Sequence, residues 1–95
     1  MHKIEFHRQA IKDSKKLKRA NLDKKAKQLI EILKIDPFQS PPYYETLVGN
    51  LSGFYSRRIN LQHRLVYKVI EEEFTEDGIQ YDGIVRVLRM WSHYE

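Results

Sequence analysis

Apolar and polar positions along this chain change their period twice. Residues 1–6 alternate weakly and carry Ile4 and Phe6, which predicts a short first strand. Over 7–20 the spacing becomes helical. Ala10, Ile11, Ser14 and Leu17 share one face, while Lys12, Lys15, Lys16, Lys18 and Arg19 point outward. Asn21 interrupts this run and reads as the N-cap of a second helix. In that helix Leu22, Ala26, Leu29, Ile30 and Leu33 fit the i, i+3, i+4 template. Pro37 ends it, because a proline disfavours helical geometry at the residue before it, Asp36.

Residues 37–53 hold all three prolines and two of the four glycines, so they read as loop around a brief extended piece at 43–47. Beyond Gly53 the chain turns to strands at 54–59, 64–74 and 83–91, all rich in β-branched and aromatic residues. The acidic turn Thr75-Glu76-Asp77-Gly78 tips a long hairpin between the last two. The order strand, two helices, then three or four strands predicts an α+β fold: one twisted antiparallel sheet with the helix pair on one face. The other face is left open.

Composition narrows the function classes. Ninety-five residues make one domain, 1–95. The absence of cysteine excludes disulfide frameworks, thiolate metal sites and Cys nucleophiles. The amino terminus has no apolar stretch of a signal peptide, and no run nears the roughly 20 apolar residues that span a bilayer, so a soluble cytoplasmic protein without a membrane partner is expected. His2, His7, His63 and His93 are scattered without ligand spacing, and no Gly-rich phosphate loop is present, so no metal or cofactor is expected. A net charge of +4 makes polyanions plausible partners without selecting one. The lysine-rich face of the first helix fits a nucleic-acid or ribosome surface, and equally a solvated helix face.

If Asn60-Leu61-Gln62 forms a three-residue hairpin loop, Ile59 faces His63 and Arg58 stands directly across from Arg64. Tyr55, Arg57, Ile59, Leu65, Tyr67 and Val69 then lie on the helix side, with Arg57 the awkward member. Ser56, Arg58, Arg64, Val66 and Lys68 lie on the other side. A two-residue loop would split the arginines between faces. Like charges directly opposite cost stability. The pair reads either as a phosphate clamp, since guanidinium forks match phosphate oxygens, or as a solvated basic patch. Residue type alone leaves both open.

Glu45 in Tyr43-Tyr44-Glu45, and His93-Tyr94 near the end of the chain, supply the remaining roles of a metal-free RNA transesterification. A base takes the 2′-OH proton, cations stabilise the phosphorane, an acid protonates the leaving 5′ oxygen, and an aromatic ring stacks on a splayed base. Spacing shows that these groups are present, not that they converge.

The run Asn50-Leu51-Ser52-Gly53-Phe54-Tyr55-Ser56-Arg57-Arg58-Ile59, followed by His63-Arg64-Leu65-Val66-Tyr67 and ending in His93-Tyr94, resembles the YoeB (Txe/YoeB) toxins of the RelE superfamily. Asp36-Pro37-Phe38 also fits, and the resemblance extends over essentially the whole chain. It implies a microbial-ribonuclease-like fold and ribosome-dependent cleavage of mRNA in the ribosomal A site. It further implies a cognate YefM-like antitoxin and allows a homodimer. By resemblance Glu45 is the general base, Arg64 the transition-state stabiliser, Arg58 the supporting phosphate clamp and His93 the general acid. Tyr94, Asn50 and Ser56 are expected at the substrate.

The chain departs from the family in carrying Val48-Gly49 where a lysine is common, in a longer hairpin over 71–83, and in the added carboxylate of Glu95. That carboxylate would favour protonated His93. The rival reading is a non-catalytic ParE-like toxin that binds DNA gyrase. Such proteins lack the glutamate and terminal histidine matched by Glu45 and His93. A degenerate, merely antitoxin-binding toxin finds no lost catalytic residue to support it.

Overall fold

The first change of period is a helix start made by His7. Its backbone is still extended (φ −64°, ψ 153°), and its imidazole accepts a hydrogen bond from the Gln9 N–H. The computed structural model describes residues 1–91. Strand β1 spans His2–Phe6, helix α1 Arg8–Arg19 and helix α2 Asp23–Ile35. Strands β2 (Tyr44–Thr46), β3 (Phe54–Arg58), β4 (Arg64–Ile70), β5 (Phe74–Glu76), β6 (Ile79–Tyr81) and β7 (Gly83–Arg89) follow, with a 3₁₀ turn at Gly49–Leu51.

Asn21 ends α1 rather than capping α2. It adopts a left-handed φ of 59°, which asparagine tolerates, and the Leu22 N–H closes back on the Leu17 carbonyl at 2.9 Å. The residue before α2 is Leu22, with no side-chain cap. Asp36 after α2 is extended (φ −153°, ψ 103°), as the proline behind it requires.

Five strands form one sheet in the order β1-β7-β4-β3-β2, and β5 and β6 form a separate two-stranded ribbon. Two expectations are corrected here. The sheet is mixed, because β1 pairs parallel with β7 while its other neighbours are antiparallel. Alternation reports which face a residue takes but not strand direction. The long final hairpin is also interrupted: 71–73 and Asp82 leave the ladder, and the ribbon turns at Asp77-Gly78. Three consecutive glutamates at 71–73 favour solvent over a paired strand.

The helix pair packs on one face of the sheet. Ala10 and Leu17 from α1, with Ala26, Leu29 and Leu33 from α2, join Leu65, Tyr67, Val85, Val87 and Met90 in a single core. Each fully buried leucine contributes about 1.5–3 kcal/mol relative to exposure. Ile11 does not join them. It is half exposed, and the third buried position of α1 is Asp13.

Arg57 and Tyr67 share the buried side of β3 and β4, where Tyr55 and Tyr67 pair directly. The Tyr67 hydroxyl donates to the Pro37 carbonyl (2.8 Å) and accepts from Arg57 Nε (3.1 Å). Burial pushes its phenol up to about 12, partly offset by the Arg57 hydrogen bond. A raised folded-state value makes this contribution complete below the ordinary value of 10.0 and lost as pH climbs toward about 12. Urea midpoints measured against pH should therefore fall less steeply over that window for Tyr67→Phe than for the wild type. Parallel curves would refute the assignment.

Candidate active site

The face away from the helices is organised in rows by strand register. Glu45 lies opposite Ser56 in the β2–β3 ladder, and Ser56 lies opposite Val66 in the β3–β4 ladder. Two pairs along, on the same face, Arg58 lies directly opposite Arg64. This register follows from the turn. The Ile59 N–H bonds the His63 carbonyl at 2.9 Å, and Asn60 Oδ1 accepts from both Gln62 N–H (2.9 Å) and His63 N–H (2.7 Å). Asn60 thereby closes the three-residue loop on which the pairing of the arginines depends.

Within this grid Arg64 Nη1 donates to Glu45 Oε1 at 2.8 Å across a diagonal of the sheet. The pair is partly exposed, with side-chain accessibilities of 21% for Arg64 and 39% for Glu45, so it remains open to an incoming ligand. At such exposure the pair contributes about 1 kcal/mol or less to folding. Its chemical effect is larger than that. The carboxylate compensates the like-charge repulsion of Arg58 and Arg64, and it holds a Brønsted base beside two cations. A guanidinium fork of this kind can bind phosphate oxygens as well as a carboxylate.

The face is not bare. Ser56 (2% exposed) and Val66 (0%) are buried, so they form the floor of the site rather than its rim. Arg58, Lys68 and Arg86 are exposed around it. Arg86 pairs with Lys68 in the ladder and bonds Glu5 Oε1 at 3.1 Å. Asn50 is exposed on the Gly49–Leu51 turn, off the strand rows that align the others. Glu45, Ser56, Arg58 and Arg64 thus share one face, whereas His93 and Tyr94 lie outside the described residues.

Two buried polar side chains escaped the sequence reading. Asp13 is fully buried on α1 and accepts from Gln9 Nε2 and from the Met90 N–H, both at 2.9 Å. The signal was present, because Ala10, Asp13 and Leu17 follow the 3–4 spacing of a buried stripe. His63 is also buried and stacks on Trp91, with ring centroids 4.0 Å apart and planes 20° apart. Among the described residues no group of three or more His, Cys, Asp or Glu side chains is placed to hold a metal ion. No helix among them is long and apolar enough to cross a membrane.

Comparison with known proteins shows the family and the fold. The family model for the YoeB-like toxin of bacterial type II toxin-antitoxin system matches residues 6–94. Toxin YoeB of Synechocystis is 46% identical over 61 residues, a match that spans 64% of this chain and 64% of that relative, just under two thirds of its length. The YoeB dimer of Staphylococcus aureus superposes with a TM-score of 0.75 at 30% identity, covering 98% of each chain. The YoeB–YefM complex of the same organism gives 0.72 at 31% identity, covering 99% of each.

Proposed function

We propose, from the premise that this chain belongs to the YoeB-like toxins of bacterial type II toxin–antitoxin systems, that it is an endoribonuclease cleaving mRNA in the ribosomal A site. The observation that carries the reading is the Glu45–Arg64 pair, 2.8 Å apart and facing Arg58 on one side of the sheet. A carboxylate already poised beside two guanidinium groups matches what phosphodiester transesterification demands, a base next to a cationic clamp.

In this mechanism Glu45 takes the 2′-OH proton, and the 2′ oxygen attacks the adjacent phosphorus. Arg64 and Arg58 hold the non-bridging oxygens as charge builds on the phosphorane. His93 protonates the departing 5′ oxygen, leaving a 2′,3′-cyclic phosphate and a 5′-hydroxyl. Tyr94 stacks on a base, Asn50 contacts the strand from the turn after β2, and Ser56, in the floor beside Glu45, meets the substrate. No metal or cofactor is required for these steps. The span 1–95 acts as one toxin domain, in the cytoplasm where ribosomes are.

The ribosome's small subunit presents the message, and a YefM-like antitoxin silences the toxin by covering the cationic face. The Staphylococcus aureus relatives form a toxin dimer and a toxin–antitoxin complex, which supports both a homodimer and an antitoxin partner here. The test is cleavage of mRNA in programmed ribosomes by wild type, Glu45→Gln and His93→Gln, with end-group analysis and a chelation series that controls for the ribosome's own magnesium. The expected result is cyclic-phosphate ends from the wild type and loss of about 10²–10⁴-fold in each variant. Undiminished cleavage by both variants would sink the site assignment.

A further inference from the structure

The open face of the sheet carries a second cationic pair that the mechanism does not use. Lys68 lies directly opposite Arg86 in the β4–β7 ladder, as Arg58 lies opposite Arg64 between β3 and β4. Strand register extends the second pair into a row across four strands, Phe54–Lys68–Arg86–Glu5. The two rows are built alike. In each, two like charges stand face to face at a cost in stability, and one carboxylate flanks them. Glu45 bonds Arg64 in the first, and Glu5 bonds Arg86 at 3.1 Å in the second. Together they set four cations against two carboxylates. Arg86 is 47% exposed, so its bond to Glu5 leaves it open to a ligand. Lys68 is exposed too, with its ammonium 5.8 Å from the centre of the Phe54 ring.

Four residues of β4 separate Arg64 from Lys68, about 13 Å of strand, which a short single strand of nucleic acid covers. Ser56 and Val66 form the floor between the rows. The Ser56 hydroxyl is buried there with no hydrogen-bond partner among the described residues, and a ligand oxygen would satisfy it. The track stops on its far side. Lys3, two residues before Glu5 on the same face of β1, is bonded to Glu76, and the exposed Glu71, Glu72 and Glu73 follow β4. Their charge repels a polyanion.

We propose that the Phe54–Lys68–Arg86 row is a subsite for the single-stranded RNA that leads away from the scissile phosphate. Lys68 and Arg86 hold one backbone phosphate, and Phe54, half-buried at the end of the row, stacks on a base. The inference rests on the proposed ribonuclease reading and adds a length of substrate to it. The aromatic ring, and the face shared with the phosphodiester site, favour RNA over an acidic peptide, whose carboxylates would engage the cations alone.

The experiment measures, by fluorescence anisotropy, the binding of the full chain to a labelled trinucleotide and a labelled heptanucleotide, both 2′-O-methylated so that neither is cleaved. The wild type should bind the heptanucleotide at least about tenfold more tightly than the trinucleotide. Lys68→Gln/Arg86→Gln removes two exposed charges that repel each other, so the variant keeps its fold. It should lose most of the gain, and its log–log salt slope should fall by about 0.7 for the one phosphate released. Phe54→Leu, which keeps an apolar side chain, should lose about tenfold in heptanucleotide affinity with an unchanged slope. The control Lys24→Gln/Lys25→Gln removes two exposed lysines from α2, on the other side of the sheet, and should keep the gain.

A wild type that gains nothing from the longer strand overturns the subsite. So does a Lys68→Gln/Arg86→Gln variant that keeps the gain, or a control that loses as much. Poly-glutamate that binds as tightly as RNA of equal charge, with the same dependence on Lys68 and Arg86, would assign the row to an acidic peptide instead. Failure of the underlying reading looks different. In that case the wild type does not cleave the message on programmed ribosomes, whatever its affinity for either strand.

Discussion

Replacing Arg57 by alanine is expected to destabilise the fold by about 3–5 kcal/mol, a large share of the roughly 5–14 kcal/mol available to a chain of this length. Arg57 is fully buried. No carboxylate among the described residues pairs with it. Its guanidinium is held instead by backbone oxygens: Nη1 donates to Pro42 (2.7 Å), and Nη2 donates to Pro37 (3.0 Å) and Gln39 (2.8 Å). Nε donates to the Tyr67 hydroxyl, and the plane lies 4.9 Å from the Tyr44 ring centroid.

Alanine would strand the Pro42 and Gln39 carbonyls and leave Pro37 with the Tyr67 hydroxyl alone, and hydrogen bonds from charged donors are the costly ones to leave unmade. Arg57→Lys should recover little, because one ammonium cannot span a fork that serves carbonyls of three different residues. The consequence extends to chemistry. Arg57 ties the 37–42 loop to β3, and that loop delivers Tyr44 and then Glu45 to the sheet. Urea denaturation followed by circular dichroism measures the effect. A loss under 1 kcal/mol would show that the carbonyls find other partners.

The same residue shows how far the sequence could be read. The β3–β4 register was legible, because a three-residue loop puts Arg58 opposite Arg64 and the structure has that loop. The register also placed Arg57 among core residues, as the awkward member of that set. It was correct, and only the unseen partners, three carbonyls in a proline-rich loop, made a buried guanidinium tolerable. Other features depend on partners distant in sequence and were not legible. Ile11 and Asp13 compete for the buried side of α1, and the Met90 N–H at the far end of the chain decides for Asp13. Asn21 suits either end of a helix by residue type, and its positive φ settles the choice. The direction of β1 is set by the helix pair carrying the chain across the sheet, which alternation cannot report. At the site, spacing could not bring Glu45 to Arg64. The 2.8 Å bond between residues 19 apart is a product of β2 joining the sheet edge.

Arg64→Ala is the substitution expected to separate chemistry from folding most cleanly. Arg64 is partly exposed and its ion pair with Glu45 is worth about 1 kcal/mol or less to stability, so the variant should unfold near the wild-type urea midpoint. Cleavage on the ribosome should fall by about 10²–10³-fold, the usual cost of removing one preorganised donor to a developing oxyanion. Arg64→Lys should recover only part of this, because a point charge neutralises the phosphorane without presenting two parallel N–H groups to it.

Arg58 remains across the ladder in both variants, and under the proposed mechanism it should set the residual rate. The double variant Arg58→Ala/Arg64→Ala should therefore lose more than Arg64→Ala alone, with the two losses departing from additivity because the two side chains are direct cross-strand neighbours. Antitoxin binding should survive Arg64→Ala, since a wrapped partner spreads its contacts over the whole face. If single-turnover cleavage by Arg64→Ala stays within tenfold of wild type, Arg64 is a partner that restrains Glu45 and not a group that stabilises the transition state.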